Sequence, residues 1–354
     1  MSTDSNQIAL TIENFLPYMT DHQFGDLHFK VDVKTGLIAI IAIHSTKLGP
    51  ALGGCRWIPY TSSADAVLDA LRLARGMSYK AALTNLPYGG GKSVIMRPAG
   101  TIDTKAYFRK FGEFVQELGG RYITAVDSGT SLDEMDIIHE VTPYVASLSK
   151  HRDEPSPFTA EGVLRGMHAA IRYGLNKESF EGLHIAIKGV GKVGHHLATL
   201  LHERGARLTV ADVNPESVQR CVKEFKAQVS TPDDIHALPC DVFSPCALGA
   251  GLNKKTIPNI KAKVIAGAAN NQLARHTLAQ LLHDKGILYA PDYVINAGGL
   301  IFATTMYEGK PADQCLEKIA AIEETLNEIF ERSKRENSPP SEIADAIGNE
   351  RLSG

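Results

Sequence analysis

An apolar strand pattern, LHIAIKG (183–189), runs into Gly189-Val190-Gly191-Lys192-Val193-Gly194, and an apolar-periodic helix pattern, KVGHHLATLLHERG, leaves it. This strand, G-x-G-x-x-G, helix order restricts the possible folds because each glycine has its own steric task. Gly189 permits a tight turn, Gly191 lets the backbone approach a pyrophosphate, and Gly194 lets the helix pack close on the strand. The helix N-terminus, at Lys192 and Val193, offers unpaired N–H groups to the anion. Asp212 ends the next strand pattern, RLTVAD, 23 residues after Gly189. A carboxylate there accepts hydrogen bonds from ribose hydroxyls and repels a 2′-phosphate, and Val213 and Asn214 bring no compensating arginine. NAD is therefore expected over NADP, with Arg207 and Lys192 as the cations that weigh the other way. A helix pattern at 215–226 follows, then the short apolar strands DVFSP, KVIAG and ILYA. The alternation predicts a largely parallel, doubly wound sheet.

The N-terminal part has a different rhythm. GLIAIIAIHS (36–45) is a β-branched run too apolar for a solvated strand face. LGPALGGCRWIPY reads as a turn-rich segment, and Ser62-x-x-Asp65 as a capping box that opens a helix with Val67, Leu71, Ala74 and Met77 or Ser78 on one stripe. Asp103 reads as an N-cap before Tyr107, Phe111, Phe114 and Leu118. Pro155-Ser156-Pro157 reads as a stiff extended connection. The domain border is placed near it, giving residues 1–145 with a C-terminal tail of about 340–354 as one domain, and 146–339 as the dinucleotide-binding domain. Leu316, Ile319, Ile322, Leu326, Ile329 and Phe330 form a helical stripe used for packing within the chain or between subunits.

Gly89-Gly90-Gly91-Lys92-Ser93 invites a P-loop reading, but Leu86 stands where that motif needs its first glycine, and Val94-Ile95-Met96 continues as a strand rather than a helix. Glycines beside Lys92 can instead bare it to a small ligand. Lys80 ends the first helix pattern, and Asp127 follows the strand-like RYITA in TAVDSGTS. Taken singly, these are a dipole-complementing lysine and a turn aspartate.

The chain has 354 residues, enough for two domains, with 37 Lys plus Arg against 40 Asp plus Glu. That balance lacks the basic excess of a nucleic-acid binder. No apolar run reaches the ~18 residues that span a bilayer. The N-terminal MSTDSNQIAL lacks a secretory pattern, and the five scattered cysteines form no C-x-x-C pair. A cytoplasmic α/β protein without a membrane or nucleic-acid partner is expected. No metal-ligand spacing is visible, and His195 and His196 read as packing or solvated residues.

In order along the chain, GPALGG (49–54), ALRLARGMSYKAA (70–82), GGGK (89–92), YITAVDSGT (122–130), PSPFTAEGV (155–163), PCALG (245–249), VIAGAANNQL (264–273) and APDYVINAGG (290–299) together resemble the Glu/Leu/Phe/Val dehydrogenase family, its leucine-active branch most closely. The resemblance implies a mixed-sheet substrate and oligomerisation domain, a Rossmann-type NAD domain, and a cleft between them. It implies reversible oxidative deamination of an L-amino acid to its 2-oxo acid and ammonia, by a homo-oligomer. It assigns Lys80 to the substrate carboxylate, Lys92 and Asp127 to proton transfer, and Thr159, Asn271 and Asn296 to the border of the cofactor and substrate. By the same resemblance, Leu52, Ala125, Leu300 and Ala303 are expected to form the side-chain pocket. Its apolar lining disfavours charged amino acids. Leucine and its branched-chain neighbours come first; phenylalanine, tryptophan and valine stay open, since a methylene is worth only ~1–3 kcal/mol. Two departures, Val126 where leucine-type members carry glutamate and LIFATTMYEG after NAGG, keep a non-catalytic NAD-binding paralogue as the rival. For a dehydrogenase, water attack on the imine needs a neutral base, so the Lys92 amine must drop about three units from ~10.4. Burial and the nearby Lys80 cation act that way.

Overall fold

The computed structural model describes residues 15–150, 154–247 and 249–353. The N-terminal decapeptide and Leu248 of PCALG lie outside the described residues. The chain forms two compact units, residues 1–82 with 86–152, and residues 83–85 with 153–354.

The first unit runs α1 (Phe15–Asp21), β1 (Asp26–Asp32), β2 (Leu37–Ser45), β3 (Ala51–Ile58), α2 (Ser63–Leu83, whose last residue groups with the second unit), β4 (Gly89–Met96), α3 (Thr104–Glu117), β5 (Tyr122–Val126) and α4 (Leu132–His139). Its sheet is mixed, in the order β1-β2-β4-β3-β5. β2 is antiparallel to β1 and β4, and β3 is parallel to β4 and β5. Alternation along β2 sends Leu37, Ala39, Ile41 and Ile43 into a core with Tyr107, Phe108, Phe111 and Phe114 of α3. Ile40 and Ala42 point the other way, onto Ala66, Val67, Ala70, Leu71 and Ala74 of α2. Both faces of β2 are therefore covered, which is why its sequence is an unbroken apolar run. The Ser62 hydroxyl accepts from Asp65 N at 3.1 Å, and Asp103 accepts from Ala106 N, so both expected helix starts form as read.

The segment read as turn-rich is instead β3, the strand between β4 and β5. Its glycines are required by close backbone approach: a Cβ on Gly53 would lie 1.7 Å from Gly91 O. Glycine in a strand interior here marks that approach rather than a loop.

The second unit runs α5 (Pro155–Leu175), β6 (His184–Lys188), α6 (Lys192–His202), β7 (Arg207–Ala211), α7 (Pro215–Phe225), β8 (Gln228–Val229), β9 (Val242–Pro245), β10 (Val264–Ile265), α8 (Leu278–Asp284), β11 (Leu288–Tyr289), α9 (Asp292–Ile295), α10 (Gly298–Tyr307), α11 (Gln314–Glu336) and α12 (Pro340–Ser353). Its six strands are parallel, in the order β11-β10-β9-β6-β7-β8. The order reverses between β6 and β9, so the switch point of this doubly wound sheet lies at their carboxyl ends, where ligands bind in such sheets.

Two expectations are corrected here. Pro155-Ser156-Pro157 is the first turn of α5, with proline at the start, where its missing N–H costs nothing and its fixed φ suits the helix. Residues 340–353 form α12 and group with the second unit rather than with the first. Ile343, Ala344 and Ile347 are buried, and Arg332–Glu350 (2.9 Å) and Arg351–Glu328 (2.7 Å) tie the helix to α11. The α11 stripe is buried at Ile319, Ile322, Leu326, Ile329 and Phe330, while Leu316 is half exposed.

Candidate active site

In the first unit, strand alternation puts the expected residues on one face. Ala51, Cys55 and Trp57 of β3 belong to the core on the α3 side, so Leu52, Gly54 and Arg56 face α2. Val94 of β4 packs with α2, and by period two Gly90 and Lys92 share that face. Tyr122 of β5 faces the α3 core, so Ala125 and, just past the strand, Asp127 alternate toward the site. Leu52 pairs with Gly90 and Ile123, and Gly54 pairs with Ala125. Lys80 lies in the last turn of α2 above this face.

Glycines make this convergence possible. A Cβ on Gly90 would meet Ser78 N at 2.0 Å, so Gly90 seats α2 directly on β4 and brings Lys80 toward Lys92. A Cβ on Gly91 would meet the Tyr122 ring at 2.7 Å, and one on Gly54 would meet Asp127 Cβ at 2.7 Å. The GGGK glycines therefore bury Lys92 rather than bare it. Its side chain is 7% exposed, and its Nζ donates to Asp127 Oδ2.

Asp127 sits in a fixed turn. Its N–H donates to Thr130 Oγ1 at 3.0 Å, and its Oδ1 accepts from Ser128 N at 2.6 Å. Gly129 closes the turn at φ 87°, and a Cβ there would lie 1.9 Å from Trp57 O. Burial pushes the Lys92 amine down to about 7, helped by the Arg56 guanidinium and then the Lys80 ammonium. That is on the order of 5 kcal/mol of environment against the charged form. Asp69 opposes the drop without cancelling it. Lys92 can thus exist as a neutral amine beside a carboxylate at ordinary pH, the equipment for moving protons. Val126, at the place of the family's glutamate, is partly exposed and carries no proton.

In the second unit the glycine turn has the expected steric pattern. Gly189 has φ 95°, and a Cβ on it would lie 2.6 Å from Ala247 N, which follows β9. Gly191 faces open space, whereas a Cβ on Gly194 would lie 2.0 Å from Gly189 O. No side chain caps α6 at Gly191, so the first N–H groups there, at Lys192 and Val193, remain available to an anion. Asp212 Oδ2 accepts from Val190 N at 2.7 Å, which holds this carboxylate against the turn. These residues fit a dinucleotide. Lys192 is exposed and paired with Glu154 at 3.0 Å. His195 is buried against Glu224 at 2.7 Å, a packing histidine as expected.

Thr159 on α5 lies beside the NAGG segment: a Cβ on Gly299 would meet Thr159 Oγ1 at 2.9 Å. Asn296 is buried and donates to Asn270 Oδ1 at 2.7 Å and Ala268 O at 3.1 Å. Asn271 is exposed with φ 52°, so the partner of Asn296 is its neighbour Asn270. Leu300 and Ala303 lie three residues apart on one side of α10, both partly buried. Sequence reasoning missed Arg56 and Asn270. Alternation from Leu52 through Gly54 would have reached Arg56, had the segment been read as a strand.

Gly191→Ala separates binding from folding. With open space at its Cβ, melting without cofactor should stay within a few degrees of the parent, while KM for the dinucleotide rises about tenfold as the methyl blocks the pyrophosphate approach. Thermal melts and initial rates at varied cofactor check both halves.

Residues 22–144 match the family model for the Glu/Leu/Phe/Val dehydrogenase dimerisation domain, and residues 209–338 match that for glutamate/leucine/phenylalanine/valine dehydrogenase. The chain belongs to the Glu/Leu/Phe/Val dehydrogenase family. It is an amino-acid dehydrogenase and works with a nicotinamide cofactor. Within the family it is 47% identical to the leucine dehydrogenase of Geobacillus stearothermophilus over 338 residues, covering 95% of this chain and 92% of that one. It is 43% identical to the valine dehydrogenase of Streptomyces albus over 327 residues, covering 91% and 90%. The crystal structure of L-tryptophan dehydrogenase from Nostoc punctiforme superposes with a TM-score of 0.87 at 39% identity, covering 96% of this chain and 98% of that one. Among the described residues, no helix is long and apolar enough to cross a membrane.

Proposed function

We propose that this dehydrogenase catalyses the reversible, NAD-dependent oxidative deamination of an L-amino acid to its 2-oxo acid and ammonia, with leucine and its branched-chain neighbours as substrates. The buried Lys92 amine, lowered to about 7 and in contact with Asp127, is the observation that carries this reading. Lys80 pairs with the substrate carboxylate. Bound at Gly189–Gly194, with Asp212 toward its ribose and Thr159, Asn271 and Asn296 bordering its other end, NAD supplies the hydride acceptor. Water then adds to the substrate imine carbon, and neutral Lys92 takes the proton that the water loses. Asp127 carries a proton between Lys92 and the departing nitrogen, so that ammonia leaves and the carbonyl forms.

Leu52, Ala125, Leu300 and Ala303 are proposed to contact the substrate side chain. All four are apolar, so a charged side chain would be left without a partner. The names of the relatives favour leucine. The small Ala303, together with the tryptophan-active relative, supports aromatic substrates as the second reading. A homo-oligomer is proposed from the dimerisation-domain description of the matching family model. The five thiols, none in a disulfide, suit a reducing cytoplasm.

Absorbance assays with leucine, valine, isoleucine, phenylalanine and tryptophan, each with NAD and NADP, test this reading. The highest kcat/KM is expected for leucine with NAD. A large preference for an aromatic substrate would move the substrate and leave the chemistry intact, whereas no reduced cofactor from any amino acid would overturn the reading.

A further inference from the structure

Arg56 of β3 lies between two carboxylates. Its Nη1 donates to Asp69 Oδ2 at 2.8 Å, and its Nε stands 3.8 Å from Asp127 Oδ2. Asp69, on α2, also accepts from the Tyr60 hydroxyl at 2.6 Å, so two donors fix the carboxylate that holds the guanidinium. Arg56 Nε–H is buried and makes no hydrogen bond among the described residues. A dry, unused donor is costly to keep, and this one stands near the oxygen that already receives Lys92.

We propose that Arg56, anchored by Asp69 and Tyr60, is a positioning residue of the reaction: it steadies the Asp127 carboxylate whenever Lys92 lets go of it, and its fixed positive charge keeps the Lys92 amine unprotonated. This rests on Lys92 being the base. The charged groups facing Lys92 are Arg56 from β3, Asp69 and Lys80 from α2, and Asp127 beyond β5; Cys55 of β3 acts on it from the other face of the sheet, and its β2 partner, Ala42, is uncharged. Burial pushes the Cys55 thiol up to about 12, so it carries no charge at working pH. After burial itself, Arg56 is the largest influence lowering the Lys92 amine, ahead of Lys80, so the geometry and the electrostatics name the same residue.

The test is the pH dependence of kcat/KM for L-leucine in Arg56→Gln, Arg56→Lys and Asp69→Asn, each checked for fold by circular dichroism. Removing the Arg56 charge should move the low-pH limb of activity upward by about one unit, with roughly tenfold loss at pH 7 that recovers at high pH. Arg56→Lys keeps a charge and should leave the limb nearly in place. Asp69→Asn removes a carboxylate that favours the ammonium, so its limb should move downward. Opposite displacements of this kind do not follow from a merely structural role. If Arg56→Gln does not fold, Arg56→Met, which keeps the side-chain length and loses the charge, decides by the same upward displacement. A limb unmoved in Arg56→Gln, or in Arg56→Met where that variant decides, overturns the proposal. Lys92→Ala distinguishes the two failures: near-normal turnover there sinks the base assignment itself, whereas an inactive Lys92→Ala with an unmoved limb sinks only the role of Arg56.

Discussion

Lys92→Ala is expected to lower kcat for deamination by about 10³- to 10⁴-fold, at the upper end of what one general base contributes. Among the described residues, the variant loses the one lysine amine in contact with Asp127, and Arg56, the other cation near that carboxylate, cannot give up a proton. β4 keeps its pairing with β2 and β3, since those ladders use backbone groups. The loss should therefore fall on kcat and not on folding. Initial rates with saturating leucine check it, and a small primary amine added to the deamination assay should restore part of the rate by standing in for the missing side chain. Turnover within tenfold of the parent would remove Lys92 from the chemistry.

Asp127→Asn should cost about 10²- to 10³-fold in kcat, for a different reason. The amide oxygen can still accept from Ser128 N, and the backbone still donates to Thr130, so the turn keeps its shape. What disappears is a carboxylate able to carry a proton between Lys92 and the substrate nitrogen. The same change removes a group that favours the Lys92 ammonium, so the low-pH limb should also move downward. A fall in kcat with little change in KM, read from initial rates at varied leucine, separates this from lost binding.

Legibility in the sequence followed the physics of each segment. β2, α2, α3 and the strand–glycine–helix unit were readable because one periodicity dominates each of them. β3 was not. A strand carrying Gly53 and Gly54 has the composition of a turn, and only the partner backbone of Gly91 explains the missing side chains. α5 was missed because proline is favourable at a helix start and unfavourable almost everywhere else, so the same residues served either reading. Lys80, Lys92 and Asp127 lie on three separate elements, and no local pattern links them. The family resemblance brought them together, and the need for a depressed lysine gave that grouping a physical reason. Arg56 stayed hidden because its importance depends on Asp69, thirteen residues later, and on Asp127, beyond a neighbouring strand.

The central claim is that Lys92 is an unprotonated amine at working pH because burial, helped by the Arg56 and Lys80 charges, disfavours its charged form. The pH dependence of kcat/KM for the unmodified protein, followed as reduced cofactor from L-leucine, tests it most directly. Activity should fall about tenfold per pH unit below a limb near 7, and that limb should be lost with Lys92. A limb near ~10.4, the ordinary lysine value, or a limb near 7 that persists in the residual activity of Lys92→Ala, would contradict the claim.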